Sequence, residues 1–268
     1  MAGIYWLASY PKSGNTWLRA FLCNLQDDGA APADINALDI GCIASARAWL
    51  DEVLGFDTAE FTPDEVERLR PGVYRWALQG AQIGYHKIHD AYTLTAEGEP
   101  LVSREATLGA LYIIRNPLDV APSAAHHWHC TIDEAITRMG NPQMALCRSR
   151  RALGLQIRQR LGSWSGHVRS WVQAPGLNVE VLRFEDMLAD PVPTFTRAAR
   201  FLGLPDAPER VEKAIRFSSF SELLRQEEEQ GFRERPQHAE RFFRQGRSGG
   251  WRDTLTAGQV ERIIADHA

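Results

Sequence analysis

GIYWLASYPKSGNTW, residues 3–17, is the stretch that decides the fold. Gly3 to Ser9 is short, apolar and aromatic, and reads as a buried strand. Tyr10 to Asn15 contains Pro11 and Gly14 and reads as a tight turn. From Thr16 the period changes: Trp17, Phe21 and Leu25 are spaced by four, and Leu18 and Leu22 share their face, so a helix follows. Strand, tight loop, helix is the arrangement that aims main-chain N–H groups at an anion. Lys12 precedes the glycine, whereas a nucleoside-triphosphate loop closes on Gly-Lys-Ser/Thr. The stretch therefore asks for an anion other than the usual triphosphate.

The rest of the chain continues the pattern. GALYII, residues 109–114, is a continuous apolar run of the kind that forms a central parallel strand buried on both faces. Residues 81–89 have strand character, and NVEVLRF at 178–184 reads as another strand. Helices are predicted at 42–54, at 63–70 behind Thr62-Pro63, at 161–173, within DPVPTFTRAARFLGL up to Gly203, and at 207–216. Strands alternating with helices give an α/β fold with a central, mainly parallel sheet. Residues 27–80 lack that rhythm and read as a cap over a pocket. Residues 130–160 are polar and Arg-rich, and read as a mobile segment. Residues 231–252 hold six Arg against two Glu, with Gly246, Gly249 and Gly250, and form a basic, Gly-rich loop.

Bulk properties narrow the classes. At about 150 residues per domain, 268 residues make one large domain or two small ones. The chain is 44% hydrophobic and 24% charged, in the range of a globular protein with a sizeable core. A formal net charge of −4 argues against a general nucleic-acid coat, so an anion site must be a local basic patch. Cys23, Cys42, Cys130 and Cys147 form no CxxC pair and match no zinc ribbon, which favours reduced thiols in the cytoplasm. No signal peptide precedes Ile4, and no apolar run approaches the ~20 residues that span a bilayer. The last residues read as helix, so the chain is expected to be trimmed at Ala268.

Four motifs in order carry a specific resemblance. YPKSGNTW resembles the 5′ loop of the sulfotransferases that use 3′-phosphoadenosine 5′-phosphosulfate (PAPS). KIH, residues 87–89, resembles their Lys-x-His strand. RNPLDVAPS, with Arg115 and Ser123 eight apart, is similar to their 3′-phosphate motif, and RQGRSGGW, 244–251, to their C-terminal RKGxxGxW loop. The resemblance implies one domain over residues 1–268 with a P-loop-like three-layer fold, its central mainly parallel sheet flanked by helices. It implies PAPS as sulfuryl donor, PAP as product, a small-molecule hydroxyl acceptor and no metal.

The same resemblance distributes roles. Lys12 would reach the bridging oxygen, and Ser13, Gly14, Asn15 and Thr16 would hold the 5′ phosphate at a helix N-terminus. Arg115, Ser123 and Arg244 would take the 3′ phosphate, with Gln245 and Gly246 adding loop donors. Pro122 and Gln245 depart from the family pattern, the latter by removing a charge. Trp17 and Phe220 would stack on the adenine and Ser218 would meet a ring nitrogen. Phe184 stands where many relatives have Tyr; core packing is an alternative for Phe184, Phe220 and Trp17.

Residues 86–89 add a reading of their own. Period-two alternation puts Lys87 and His89 on one face and His86 and Ile88 on the other. A His suits the task of taking a hydroxyl proton at neutral pH, and a Lys on its face can hold shifting charge. His89 is thus the expected general base, with Lys87 and Lys12 stabilising the transferred group, and His86 the fallback base. HHWHC, 126–130, is too crowded for one metal ion and is expected to line the acceptor wall with Trp128. Two other classes fit part of the sequence: a P-loop-type kinase using ATP and Mg, and a non-catalytic nucleotide-binding module. The missing Gly-Lys-Ser/Thr ending counts against the first, and the Lys12, Lys87 and His89 set against the second. Acceptor identity and oligomeric state are left open by the residues.

Overall fold

The computed structural model of the protein describes residues 2–77, 82–148 and 154–268. Five strands form its main sheet: β1 (Gly3–Ser9), β2 (Cys42–Ile43), β3 (Ile83–Ile88), β4 (Thr107–Ile114) and β7 (Val179–Arg183). Their order is β2-β3-β1-β4-β7, and the sheet is parallel and flanked by helices. Two further short strands, β5 (Ala145–Leu146) and β6 (Gln159–Arg160), pair antiparallel by themselves.

The chain divides into two compact units. The first comprises Met1–Tyr10, Cys42–Tyr112 and Asn141–Glu180; the second comprises Pro11–Gly41, Ile113–Gly140 and Val181–Ala268.

In the first unit β1 is buried along almost its whole length, with Trp6, Leu7 and Ala8 at 0% exposure. That burial is why it reads as a continuous apolar run. It pairs in parallel with β3, Leu7 opposite Lys87 and Ala8 opposite Ile88. β2 pairs in parallel with β3 on the other side, Ile43 opposite Lys87. Three helices belong to this unit: α2 (Arg47–Leu54), α3 (Pro63–Trp76) and α6 (Trp164–Val172). The expected helix at 42–54 is thus a two-residue strand followed by a shorter helix. Two residues carry no periodicity by which a strand could be read. α3 starts as expected, on a Thr62/Glu65 capping box with Pro63 in its first turn, but runs through Pro71 to Trp76. A Pro inside a helix costs about 3 kcal/mol, and the burial of Val73 and Tyr74 one turn on offsets it. Ala81, the expected start of β3, and residues 149–153 of the Arg-rich stretch lie outside the described residues.

The second unit is mostly helical: α1 (Asn15–Asp27), α4 (Pro117–His127), α5 (Ile132–Gly140), α7 (Phe184–Ala189), α8 (Pro191–Phe201), α9 (Pro208–Phe217), α10 (Phe220–Gln230) and α11 (Ala257–His267). α1 buries the stripe legible in the sequence, Leu18, Phe21, Leu22 and Leu25, and packs against α9. Phe21 meets Phe195 of α8 with ring centroids 4.3 Å apart. Ala20, Ile35, Leu223, Phe232 and Phe243 form a second cluster that Trp17, Phe220 and Phe242 flank. Through it the Gly-rich C-terminal loop is held against α1 and α10. The buried carboxylate of Glu227 accepts the N–H groups of Phe242 (2.7 Å) and Phe243 (2.9 Å) and so fixes where that loop begins.

Candidate active site

In the second unit the loop of residues 11–14 leads into α1. Lys12 takes a left-handed conformation (φ 70°), rare for a side chain with a Cβ. Gly14 follows at φ 107° as the N-cap residue, and no side chain caps the helix. An ideal Cβ on Gly14 would lie 2.7 Å from the Phe184 ring, so the glycine is required by both its φ and its neighbour. Ser13 is fully buried, and its Oγ has no hydrogen-bond partner among the described residues. Asn15 and Thr16 are buried in the first turn of α1. The Lys12 ammonium sits 3.9 Å from the centre of the Phe242 ring.

Arg115, just past β4, ties this loop to two others. It donates to the Lys12 carbonyl (3.1 Å) and to the Arg247 carbonyl (3.2 Å), and its guanidinium lies 4.2 Å over the Phe184 ring. Its Nε is buried with no partner among the described residues. Burial lowers its pKa, and the nearby Asp119 carboxylate works against that. An Arg stacked and bonded this way presents its remaining donors, the Nε–H among them, in fixed directions.

α4 opens on Asn116, whose side chain accepts from Leu118 N, and on Pro117. Ser123 is half-buried on this helix, beside Pro122. Arg244 is exposed, and its guanidinium donates to the Pro122 carbonyl at 3.5 Å. Arg244 and Ser123 are therefore brought to the same stretch of α4. Gly246 is left-handed (φ 55°), and a Cβ there would lie 2.3 Å from the Phe220 ring. The Gln245 Oε1 lies against Gly250, 2.7 Å from where a Cβ would stand.

The expected adenine set is less uniform. Trp17 makes edge contacts with Phe184 (5.8 Å) and Phe195 (5.2 Å), and its buried Nε1 has no partner among the described residues. Phe184 has one face under Arg115 and an edge on Trp17. Ser218 is buried at the end of α9 and donates its hydroxyl to the Ala214 carbonyl at 2.8 Å. Phe220 is half-buried against Gly246 and the aromatic cluster.

Asp119 is a residue of this unit to which the sequence pattern assigns no site role. Its carboxylate accepts the N–H groups of Gly249 (2.8 Å) and Trp251 (3.0 Å), with Ser248 Oγ at 3.4 Å. The signal available was RSGGW itself: a tight run of main-chain donors needs a buried acceptor. Phe242 was missed as well, because nothing in its spacing points to Lys12.

In the first unit, Lys87 lies on β3 and His89 immediately beyond it, both half-buried. His89 Nδ1 is 2.8 Å from the Ser9 carbonyl. A carbonyl only accepts, so Nδ1 carries the proton, and Nε2 is the basic nitrogen of the neutral ring. That is the tautomer a general base needs. His86 is placed differently: it stacks on Trp49 (4.6 Å) and lies near Trp6 (6.1 Å), and burial pushes its pKa down to about 4. It is a weak base in an aromatic stack. Tyr74 is fully buried beside Trp6, and the half-buried Trp49 stacks on it.

The residues just beyond His89 are held by a buried polar set that sequence spacing hides. Arg70 donates to both oxygens of Asp90 (3.0 and 2.7 Å) and to the Tyr74 hydroxyl (2.8 Å). Arg160 N also donates to Asp90 (2.9 Å).

His126 to Cys130 form no metal set. His126 Nε2 lies 3.1 Å from the Arg241 carbonyl, and His129 packs against His238 at 4.6 Å. Among the described residues no group of three or more His, Cys, Asp or Glu is placed to hold a metal ion. Among them, no helix is long and apolar enough to cross a membrane.

With this geometry in hand, comparison with known proteins is specific. The family described as "Sulfotransferase domain" matches residues 4–266, and the chain belongs to it. It is a sulfotransferase. The rat protein named Sulfotransferase 2A6 is 25% identical over 95% of this chain and 80% of its own length. The flavonol 3-sulfotransferase of Flaveria bidentis is 25% identical over 96% of this chain and 78% of its own. Among solved structures, a mouse sulfotransferase complexed with PAP has a TM-score of 0.62 at 21% identity, covering 98% of this chain and 82% of that one. A retinol dehydratase in complex with androsterone and inactive cofactor PAP also scores 0.62, at 20% identity over 98% and 79%. These two likenesses show the fold.

Proposed function

We propose that this chain moves a sulfuryl group from PAPS to a hydroxyl of a small-molecule acceptor by in-line transfer. The observation that carries the reading is a pair of buried donors without partners among the described residues, Ser13 Oγ and Arg115 Nε, on the loops whose sequence asks for phosphates. A buried donor left unpaired costs about 1–3 kcal/mol, and an anionic ligand there removes that cost. The glycines fit too: Gly14 and Gly246 leave no room for a Cβ against Phe184 and Phe220.

Ser13, Gly14, Asn15 and Thr16 hold the 5′ phosphate end at the start of α1, where the helix dipole favours negative charge. Arg115, Ser123 and Arg244 hold the 3′ phosphate, with Gln245 and Gly246 supplying loop contacts. Trp17, Phe184 and Phe220 offer aromatic surface to the base, and Ser218, whose proton goes to Ala214, keeps lone pairs that can accept from it. PAPS supplies the activated sulfuryl group. His89 takes the acceptor's hydroxyl proton on Nε2 while its Nδ1–H stays on the Ser9 carbonyl. Lys12 and Lys87 stabilise the leaving oxygen and the moving group, so positioning and electrostatics supply the rate. No metal is assigned a role.

The acceptor class follows the relatives, one of which is named for a flavonol. We place the enzyme in the cytoplasm, in line with an Arabidopsis relative, 26% identical, named as a cytosolic sulfotransferase. Residues 27–80 are assigned to an acceptor cap; of the expected mobile segment 130–160, residues 149–153 lie outside the described residues and the rest contains α5, β5 and β6.

Thermal shift with PAP against Mg-ATP, followed by PAPS turnover on a panel of phenols, alcohols and glycosides, tests the reading. PAP is expected to stabilise the chain and Mg-ATP not. Stabilisation by Mg-ATP alone would make the chain a kinase-like protein, and PAP binding without any turnover would make it a binding module.

A further inference from the structure

β3 ends at Ile88, so the carbonyls of His89 and Asp90 lie beyond its named pairing. Two side chains of α6 take them up. His167 Nε2 is 3.0 Å from the His89 carbonyl, and Trp171 Nε1 donates to the Asp90 carbonyl at 3.0 Å. The two residues are four apart, on one face of α6, and both are fully buried. A helix face thus continues, side chain by side chain, the hydrogen bonding that the strand has stopped making.

The state of His167 is fixed by its other partner. Because its Nε2 meets a carbonyl, Nε2 carries the proton and Nδ1 accepts. The donor is the Tyr112 hydroxyl, 2.9 Å from Nδ1. Tyr112 lies on β4, is fully buried, and stacks on both His167 (5.7 Å) and Trp171 (6.2 Å). The run is directional: Tyr112 O–H to His167 Nδ1, then His167 Nε2–H to the His89 carbonyl. Reversing the His167 tautomer would put two lone pairs face to face at residue 89.

Residue 89 is therefore held at both ends, its ring by the Ser9 carbonyl and its own carbonyl by His167. We propose that His167, oriented by Tyr112, is a positioning residue for His89: it fixes the His89 peptide so that the ring keeps its Nδ1–H on Ser9 and its Nε2 basic. The inference rests on the reading of His89 as general base. It gives a buried histidine that takes no part in proton transfer a defined effect on rate.

The test uses the full chain labelled with ¹⁵N-histidine and saturated with PAP, together with turnover on an acceptor found in the panel. His89 should show the Nδ1–H tautomer in the wild type and lose it in part in Tyr112→Phe and His167→Leu. Turnover in His167→Leu should fall about tenfold or more, while PAP affinity stays within about twofold. His167→Gln, which keeps an N–H within reach of the carbonyl, should recover most of the rate. In a His89→Ala background His167→Leu should cost little further, because its effect passes through His89. A tautomer unchanged in both variants, or an equal loss with and without His89, would overturn the inference. If His89→Ala itself keeps wild-type turnover, the base assignment fails, and the tautomer spectra alone then judge whether His167 orients His89.

Discussion

Asp119, in the first turn of α4, accepts hydrogen bonds from the N–H groups of both Gly249 and Trp251. One carboxylate thereby shapes the RSGGW turn, which in turn presents the Arg247 carbonyl to Arg115. Hydrogen bonds to a charged group are worth about 1.5–3 kcal/mol each. Asp119→Ala is expected to weaken PAP binding about tenfold or more, and to lower stability by roughly 2 kcal/mol. Calorimetric titration with PAP and urea unfolding check the two effects, and Asp119→Asn, which keeps one acceptor, should fall between.

Gly246 combines a left-handed φ with the Phe220 ring. Gly246→Ala should cost about 1–3 kcal/mol through backbone strain and overlap. Phe220→Ala in the same chain removes the overlap but not the strain. The double variant is therefore expected to be less destabilised than the sum of the two singles. Thermal unfolding of the four proteins measures this; strict additivity would mean that the contact does not matter.

The sequence was legible where periodicity and loop chemistry agree. β1, the anion loop and the α1 stripe all follow from residues 3–25, and the expected helix after Asp190 is α8. It was illegible where partners come from distant segments. Asp90 meets Arg70 only because β3 ends beside α3, and no local rule joins residues 20 apart. Trp17 fits both a core stripe and a base-stacking surface, and its edge contacts with Phe184 and Phe195 show the packing half of that choice. Asp119 shows the same limit, because its partners Gly249 and Trp251 lie 130 and 132 residues further along the chain.

Buried histidines set the acid stability. Burial pushes His86 and His167 down to about 4 from an ordinary 6.5. Between those values the unfolded chain binds more protons than the folded one, so stability rises with pH through that window. The stability is fully present above pH about 6.5 and is lost as pH falls towards 4; for the fully buried His167 the loss approaches roughly 3 kcal/mol. Urea unfolding at a series of pH values should show this slope, and His86→Leu should flatten it. A profile unchanged by that substitution would contradict the assignment.

Arg70 and Asp90 are both almost wholly buried and joined by two hydrogen bonds. Removing one partner strands the other charge, so Asp90→Ala should destabilise the fold by about 3–5 kcal/mol. Chemical denaturation reads this, and a loss under about 1 kcal/mol would show that water or a neighbouring group compensates.

The central claim is that the chain carries out sulfuryl transfer from PAPS with His89 as the base. It is tested most directly by following label from radiolabelled PAPS into an acceptor, in wild type and His89→Ala, alongside PAP affinity for each. The account predicts transfer in the wild type, loss of about a hundredfold or more in the variant, and PAP affinity unchanged within about twofold. Equal transfer by the two proteins would contradict it.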